Sequence, residues 1–229
     1  MKDVAVIIVA AGSGSRYGRP KQFELLGREP LVVWPIRAFL KASAVREVIL
    51  VHALEQREEM IAILTHAKLI DHVRLVDGGA TRQQSTANGV REVSSECLIT
   101  LVHDAARALI DVETIEQVIA GCRKHQAALV AVPVVDTIKE AEEDHLVKRT
   151  IPRINLWRAQ TPQGAKTELL KQAITKAVED YYYATDESEI LERIGIQPLI
   201  IHGKESNFKI TYPEDLERAE HFLVNKLSL

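Results

Sequence analysis

Residues 4–10 read VAVIIVA, seven consecutive apolar side chains of which five are β-branched. Successive side chains of a strand point to opposite faces. A strand that is apolar at every position therefore has no wet face and must be covered on both sides. This run leads directly into the glycine-rich AAGSGSRYGRPKQF, so the strand ends at a turn. The same signature recurs in EVILVHA (47–53), VRLVDGG (73–79), CLITLVHDAA (97–106) and AALVAVPV (127–134). Helical patterns separate the strands: LVVWPIRAFLKA with Pro35 in an early turn, QREEMIAILTHA with Met60, Ile61 and Leu64 on one side, TRQQSTANGVREV, and VETIEQVIAGCRKH with apolar Ile115, Val118 and Ile119. Such alternation predicts an α/β fold: a single doubly wound, mostly parallel (mixed) Rossmann-like sheet with right-handed crossovers, one domain spanning residues 1–229.

Residues 136–153, DTIKEAEEDHLVKRTIPR, break this rhythm and read as a β-hairpin arm projecting from the body. The arm has too few apolar residues to stand alone, so it is expected to pack on something, such as a second subunit. No regular element is read in residues 154–166. Beyond them lie a helix at TELLKQAITKAV, a helix at TDESEILERIG closed by Gly195, a strand at PLIIHG and a final helix at YPEDLERAEHFLVNKL. Asp186 with Glu189 fits a capping box; Pro213 followed by Glu214 and Asp215 fits a helix start.

Bulk properties narrow the function classes. A formal net charge of −3 argues against a general nucleic-acid coat, so any positive field is local. Cys97 and Cys122 lack metal or redox spacing and read as small buried hydrophobes in a reducing compartment. No signal peptide is read, and no apolar run approaches the roughly 20 residues that span a bilayer. The expectation is a soluble cytoplasmic protein with no membrane or nucleic-acid partner.

The glycine turn matches neither common nucleotide fingerprint. Gly12, Gly14 and Gly18 are spaced two and then four, against G-x-G-x-x-G, and no G-x-x-x-x-G-K-[ST] occurs. What is left is a loop of small residues that exposes backbone N–H groups, with Arg16, Arg19 and Lys21 close behind. Any one of these cations is ordinarily just a solvated charge. Three together, at the carboxyl end of a buried strand, point to a polyanionic ligand, because open α/β sheets bind ligands at that edge.

AAGSGSRYGRPKQF resembles the signature loop of nucleotidyltransferases that join a nucleoside triphosphate to a phosphorylated sugar or polyol. Six further segments, VDGGATRQQS, LVHDAAR, VPVVDTIK, IPRINLWRAQTPQ, ATDESE and NFKITYPEDL, make the chain similar nearly end to end to the 2-C-methyl-D-erythritol 4-phosphate cytidylyltransferase family. The resemblance implies transfer of CMP from CTP to the polyol phosphate with release of pyrophosphate. It implies Arg16 and Lys21 as catalytic cations, with Arg19 outside the set. The implied nucleotide site comprises Ala10, Ala11, Gly12, Gly14, Gly78, Gly79, Arg82, Ser85, Asp104 and Ala105. Asp104 is also the implied ligand of a Mg²⁺ cofactor, a hard carboxylate suiting a hard cation. The implied acceptor site comprises Asp136, Thr137, Arg153, Thr161 and Lys209, with Gln163 near it. The arm is implied to make a homodimer and to carry Thr137 and Arg153 toward the partner's site. Arg107 matches the family, whereas Ala108 stands where a proline is expected. His103 and Asp104, adjacent on a strand, are not expected to act as a pair.

Three other readings stay in view. A sister cytidylyltransferase would use ribitol 5-phosphate with the same loop and metal. A non-catalytic nucleotide-binding module would be marked by loss of a phosphate-facing cation, yet Arg16, Lys21, Arg153 and Lys209 are all present. A nicotinamide oxidoreductase is disfavoured by the glycine spacing.

Overall fold

The apolar run at residues 4–10 lies deep in the sheet. The computed structural model describes residues 1–227. Its strands are β1 (Val4–Val9), β2 (Leu25–Leu26), β3 (Glu29–Pro30), β4 (Val45–His52), β5 (Val73–Asp77), β6 (Ile99–Asp104), β7 (Ala127–Pro133), β8 (Ile138–Ala141), β9 (Val147–Ile151), β10 (Trp157–Lys166) and β11 (Leu199–His202). The helices are α1 (Val33–Lys41), α2 (Arg57–His66), α3 (Arg82–Arg91), α4 (Val112–His125), α5 (Thr167–Glu179), α6 (Glu187–Arg193) and α7 (Pro213–Leu227). Seven strands form one sheet in the order β11-β7-β10-β6-β1-β4-β5, parallel except for β10.

The doubly wound expectation holds. Val4, Val6 and Ile8 enter an apolar layer with Ile36 and Phe39 of α1, Met60 and Leu64 of α2, and Ile115, Val118 and Ile119 of α4. Ala5 and Ile7 enter the opposite layer with Ala87 and Val90 of α3, Leu170 and Ala173 of α5, and Ile190 and Leu191 of α6. A strand with apolar residues on both sides thus has a helical layer for each. Ile61 does not join them: it is exposed, and Ile63 packs on the core instead. Met60 and Leu64 share a face at i, i+4, and Ile61 lies a third of a turn away from Met60.

The largest departure from the sequence reading is β10. WRAQTPQGAK has a central proline, a glycine and several polar side chains, all of which argue against an interior strand. It nevertheless lies antiparallel between β7 and β6, with its pairing to β7 interrupted between Ala159 and Gln163 around Pro162. Its buried polar groups are paired. Gln160 donates to Lys204 O, and Gln163 donates to Asp186 Oδ2 at 2.9 Å while accepting from Ser188 N at 2.9 Å. Hydrogen bonding replaces the apolar content that the pattern lacked.

The cap on α6 forms in a modified way. Asp186 Oδ1 accepts from Glu189 N at 3.0 Å, but Glu189 reaches back to Thr185 N, one residue before the cap. At α7, Asp215 Oδ2 accepts from Thr211 N and Tyr212 N, so the acidic first turn ties down the entry to the helix. A third apolar cluster joins Leu26 and Leu31 to Ala108, Ile210, Ala219 and Leu223, fastening α7 and the β2–β3 hairpin to the loop after β6. Among the described residues β8 and β9 pair only with each other, as the projecting hairpin predicts. Among the described residues no helix is long and apolar enough to cross a membrane.

Candidate active site

β1 and β6 run side by side in parallel, with Val9 opposite Asp104, so the loops after both strands leave the sheet at one edge. Between them opens a cleft of about 440 Å³. The glycine loop contributes Ala10, Ala11, Gly12, Gly14, Arg16 and Lys21 to its lining. The facing wall contributes Gly79, Arg82 and Ser85, and the sheet end contributes Asp104 and Ala105, with Lys209 beside them.

Local backbone requirements explain the glycines that matter most. Gly14 has φ +70°, and a Cβ there would sit 2.0 Å from Arg19 O. Its carbonyl accepts from Tyr17 N and Gly18 N, closing a tight turn that carries Arg16. Gly78 is not in the cleft lining; it sits behind Ala11, where a Cβ would meet the Ala11 Cβ at 2.6 Å. The Ser85 hydroxyl accepts from Gly79 N at 3.0 Å and donates to Thr81 O at 2.9 Å, holding the turn that opens α3. Thr81 caps α3 through Gln84 N, which brings the positive end of that helix to the cleft.

The cations divide into two kinds. Arg16 and Lys21 line the cleft, and neither has a salt bridge among the described residues. Arg19, outside the lining, pairs with Glu24 at 2.6 Å. Burial, then Lys209 and Arg16, push the Lys21 ammonium below its ordinary pKa. Lys209 is tied to Asp104 Oδ2 at 2.7 Å, and Arg82 Nε donates to Asp104 Oδ1 at 3.0 Å. Burial favours the neutral acid, but Arg82 and Lys209 outweigh it and hold the Asp104 carboxyl below the usual range.

A glycine loop with free cations, facing a braced carboxylate at a sheet edge, is an arrangement for holding a polyphosphate. The sequence model of the family described as "IspD: 2-C-methyl-D-erythritol 4-phosphate cytidylyltransferase" matches residues 4–225. The chain belongs to this family. Its 2-C-methyl-D-erythritol 4-phosphate cytidylyltransferase relative from Acidobacterium capsulatum is 39% identical, over 98% of this chain and 99% of that one. The "Bifunctional enzyme IspD/IspF" of Desulfotalea psychrophila is 42% identical over 99% of this chain, which spans 58% of that relative's length. The crystal structure of 2-C-methyl-D-erythritol 4-phosphate cytidylyltransferase from Thermus thermophilus is similar with a TM-score of 0.81 at 30% identity, covering 96% and 98% of the two chains.

Within this cytidylyltransferase-family fold, the residues expected at the acceptor site fall into separate places. Lys209 is in the cleft. Thr161 is buried behind Asp104, accepting from Asp104 N at 3.0 Å and sitting 3.0 Å from His103 Nδ1. His103 Nε2 faces Arg107 O at 3.1 Å and must carry the proton, so Nδ1 is the acceptor of the Thr161 hydroxyl. Burial lowers the His103 pKa to about 4, which keeps this tautomer neutral. His103 therefore supports Asp104 through Thr161 and lies outside the cleft lining. Asp136, Thr137 and Arg153 are exposed at the root of the arm, outside the cleft lining, where Arg153 donates to Val135 O. At position 108 an alanine suffices: it is buried in the third cluster, and Arg107 braces the loop by donating to Asn207 O and Ala159 O.

Gln22 and Glu187, one lining the cleft and one behind it, are among the residues that escaped the sequence reading. Gln22 lines the cleft and donates to Gln56 Oε1 at 2.7 Å. Glu187, buried at the first turn of α6, accepts from both terminal nitrogens of Arg82 at 2.7 and 3.0 Å. The signal for Glu187 was a surplus of acid in TDESE, where Asp186 already supplies the cap.

Proposed function

We propose that the protein transfers CMP from CTP to 2-C-methyl-D-erythritol 4-phosphate, releasing pyrophosphate. The observation that carries this is the convergence of unpaired Arg16 and Lys21 with the Lys209–Asp104 pair on one cleft, in a chain of this family. The attacking group is the acceptor's phosphate oxygen. With a second pKa near 6, a phosphate monoester is largely dianionic at neutral pH and needs no general base. The oxygen forms a bond to the α-phosphorus, the bond to the β-phosphate bridging oxygen breaks, and pyrophosphate leaves with the electron pair. What this demands is charge cancellation between two anions. A unit charge held near 4 Å supplies on the order of 4 kcal/mol at an effective dielectric of about 20. Arg16 and Lys21, neither of them in a salt bridge among the described residues, are suited to supply it, and a polyanion relieves the crowding of like charge around Lys21.

Among the described residues no group of three or more His, Cys, Asp or Glu could cage a metal. One carboxylate completed by substrate phosphates is, however, how Mg²⁺ is commonly held. Asp104 spends one acceptor direction per oxygen on Arg82 and Lys209, and an ionised carboxylate has about four. Asp104 is thus suited to Mg²⁺, which when bound would add positive charge at the triphosphate. The exposed arm, with Leu146, Val147 and Ile154 uncovered, supports a homodimer in which Thr137 and Arg153 meet the partner's cleft. Two free, buried thiols fit a cytoplasmic setting.

Pyrophosphate release from CTP and Mg²⁺, with 2-C-methyl-D-erythritol 4-phosphate or ribitol 5-phosphate in parallel, tests the proposal. Release with the former, lost in Lys21→Ala and Arg153→Ala, is the expected result. Release with ribitol 5-phosphate alone overturns the acceptor; silence with both, in a protein that still binds CTP, overturns the activity.

A further inference from the structure

Arg82 stands in the cleft wall, yet three of its five N–H donors are spent inside the protein. Nε donates to Asp104 at 3.0 Å, and the two terminal nitrogens grip Glu187 at 2.7 and 3.0 Å. Glu187 is only 2% exposed and also accepts from Thr86 Oγ1 at 3.2 Å. It is absent from the cleft lining, and no step of the proposed reaction uses it. A two-pronged Arg–carboxylate contact sets the plane of the guanidinium, and that plane sets the direction in which Nε meets Asp104. The side chains form a row of alternating sign: Glu187, Arg82, Asp104, Lys209. Arg82 Nη2 already lies 3.0 Å from Asp104 Oδ1, so without the Glu187 charge the row carries a surplus cation whose freed nitrogens can swing further onto Asp104 or onto a phosphate in the cleft.

We infer that Glu187 is a positioning residue for nucleotidyl transfer: it holds Arg82 as a brace on Asp104 and withholds it from the phosphates, which are left to Arg16 and Lys21. This rests on the proposed function and sharpens it. Arg82, implied by resemblance to bind nucleotide, acts here mainly through Asp104. The consequence is a divergence between binding and turnover. An added cation attracts CTP as well as before or better, while a displaced Asp104 slows the chemical step. A merely structural Glu187 would instead lower both together.

The test is Glu187→Gln in the full chain, which keeps shape and removes charge. CTP affinity is measured calorimetrically without acceptor, and kcat by pyrophosphate release. The expected result is a kcat about tenfold or more below the parent protein with a CTP dissociation constant unchanged or lower. A kcat within about twofold of the parent, or CTP affinity falling in step with kcat, overturns the inference. Should Glu187→Gln not fold, Arg82→Lys carries the same test, because one ammonium cannot reproduce the fork between Glu187 and Asp104. A drop in kcat with CTP binding retained supports the role, and a parallel loss of both overturns it. The unsubstituted protein is run alongside: its failure to release pyrophosphate sinks the proposed activity, whereas an altered ratio between variant and parent speaks only to Glu187.

Discussion

The ion pairs of the cleft and those of the arm use the same side-chain chemistry and do different things. In the cleft, Arg82 joins Glu187 and Asp104, whose side chains are 3% and 11% exposed. On the arm, Arg149 and Lys148 meet Glu140, with side chains 67%, 50% and 35% exposed. Buried carboxylates cannot be resolvated when a partner leaves, so each depends on its cation and fixes it in place. Exposed pairs trade partners with water at little cost. Burial, not pairing, decides which charges are preorganised. The cleft is built in advance within one chain, whereas the arm offers groups whose proposed use requires a second chain.

The contrast can be broken or sharpened by experiment. The largest effect is expected at Lys21, a cleft cation with no salt bridge among the described residues. Lys21→Ala should lower kcat by about 10²–10³, roughly 3–4 kcal/mol, with the melting temperature nearly unchanged. An equal loss of stability would show that Lys21 serves the fold. Glu187→Ala should destabilise the protein by about 3 kcal/mol in urea unfolding, at the low end for a broken buried pair because Arg82 keeps Asp104 and some solvent.

The support beneath Asp104 should appear in the pH dependence of stability. His103 has its pKa lowered from 6.5 to about 4 by burial, so between these values the unfolded chain binds more protons than the folded one. Stability is then full above pH 6.5 and falls as the pH drops toward 4, by on the order of 3 kcal/mol. His103→Asn should flatten that part of the profile, and an unchanged slope would remove the histidine from the account. The smallest effect belongs to the arm: Arg149→Ala should cost no more than about 1 kcal/mol. A larger loss, growing with protein concentration, would mean that the arm's pairs are buried in an assembly.

How much of this was legible depended on the range of the interaction that encodes it. Strands with apolar residues on both faces, the glycine turn and the start of α7 are local patterns, and all are present. The order of the motifs sufficed for the family. β10 was not legible, because its buried polar groups are stabilised by partners far along the chain, as with Gln163 and Asp186. Thr161 likewise reads as a site hydroxyl until His103 and Asp104 are seen to consume it.

The sequence by itself determined the alternating α/β plan, the sheet edge proposed to hold a polyanion and the cations in the loop there. These follow from side-chain periodicity and from glycine and charge placed within a few residues of one another. Only the tertiary structure decided which of the cations facing the cleft are free and which are spent. Arg82 and Glu187 lie 105 positions apart, as do Asp104 and Lys209. A pairing across that separation leaves no periodic trace, because it is set by where the sheet brings distant loops together and by the cost of burying a carboxylate alone.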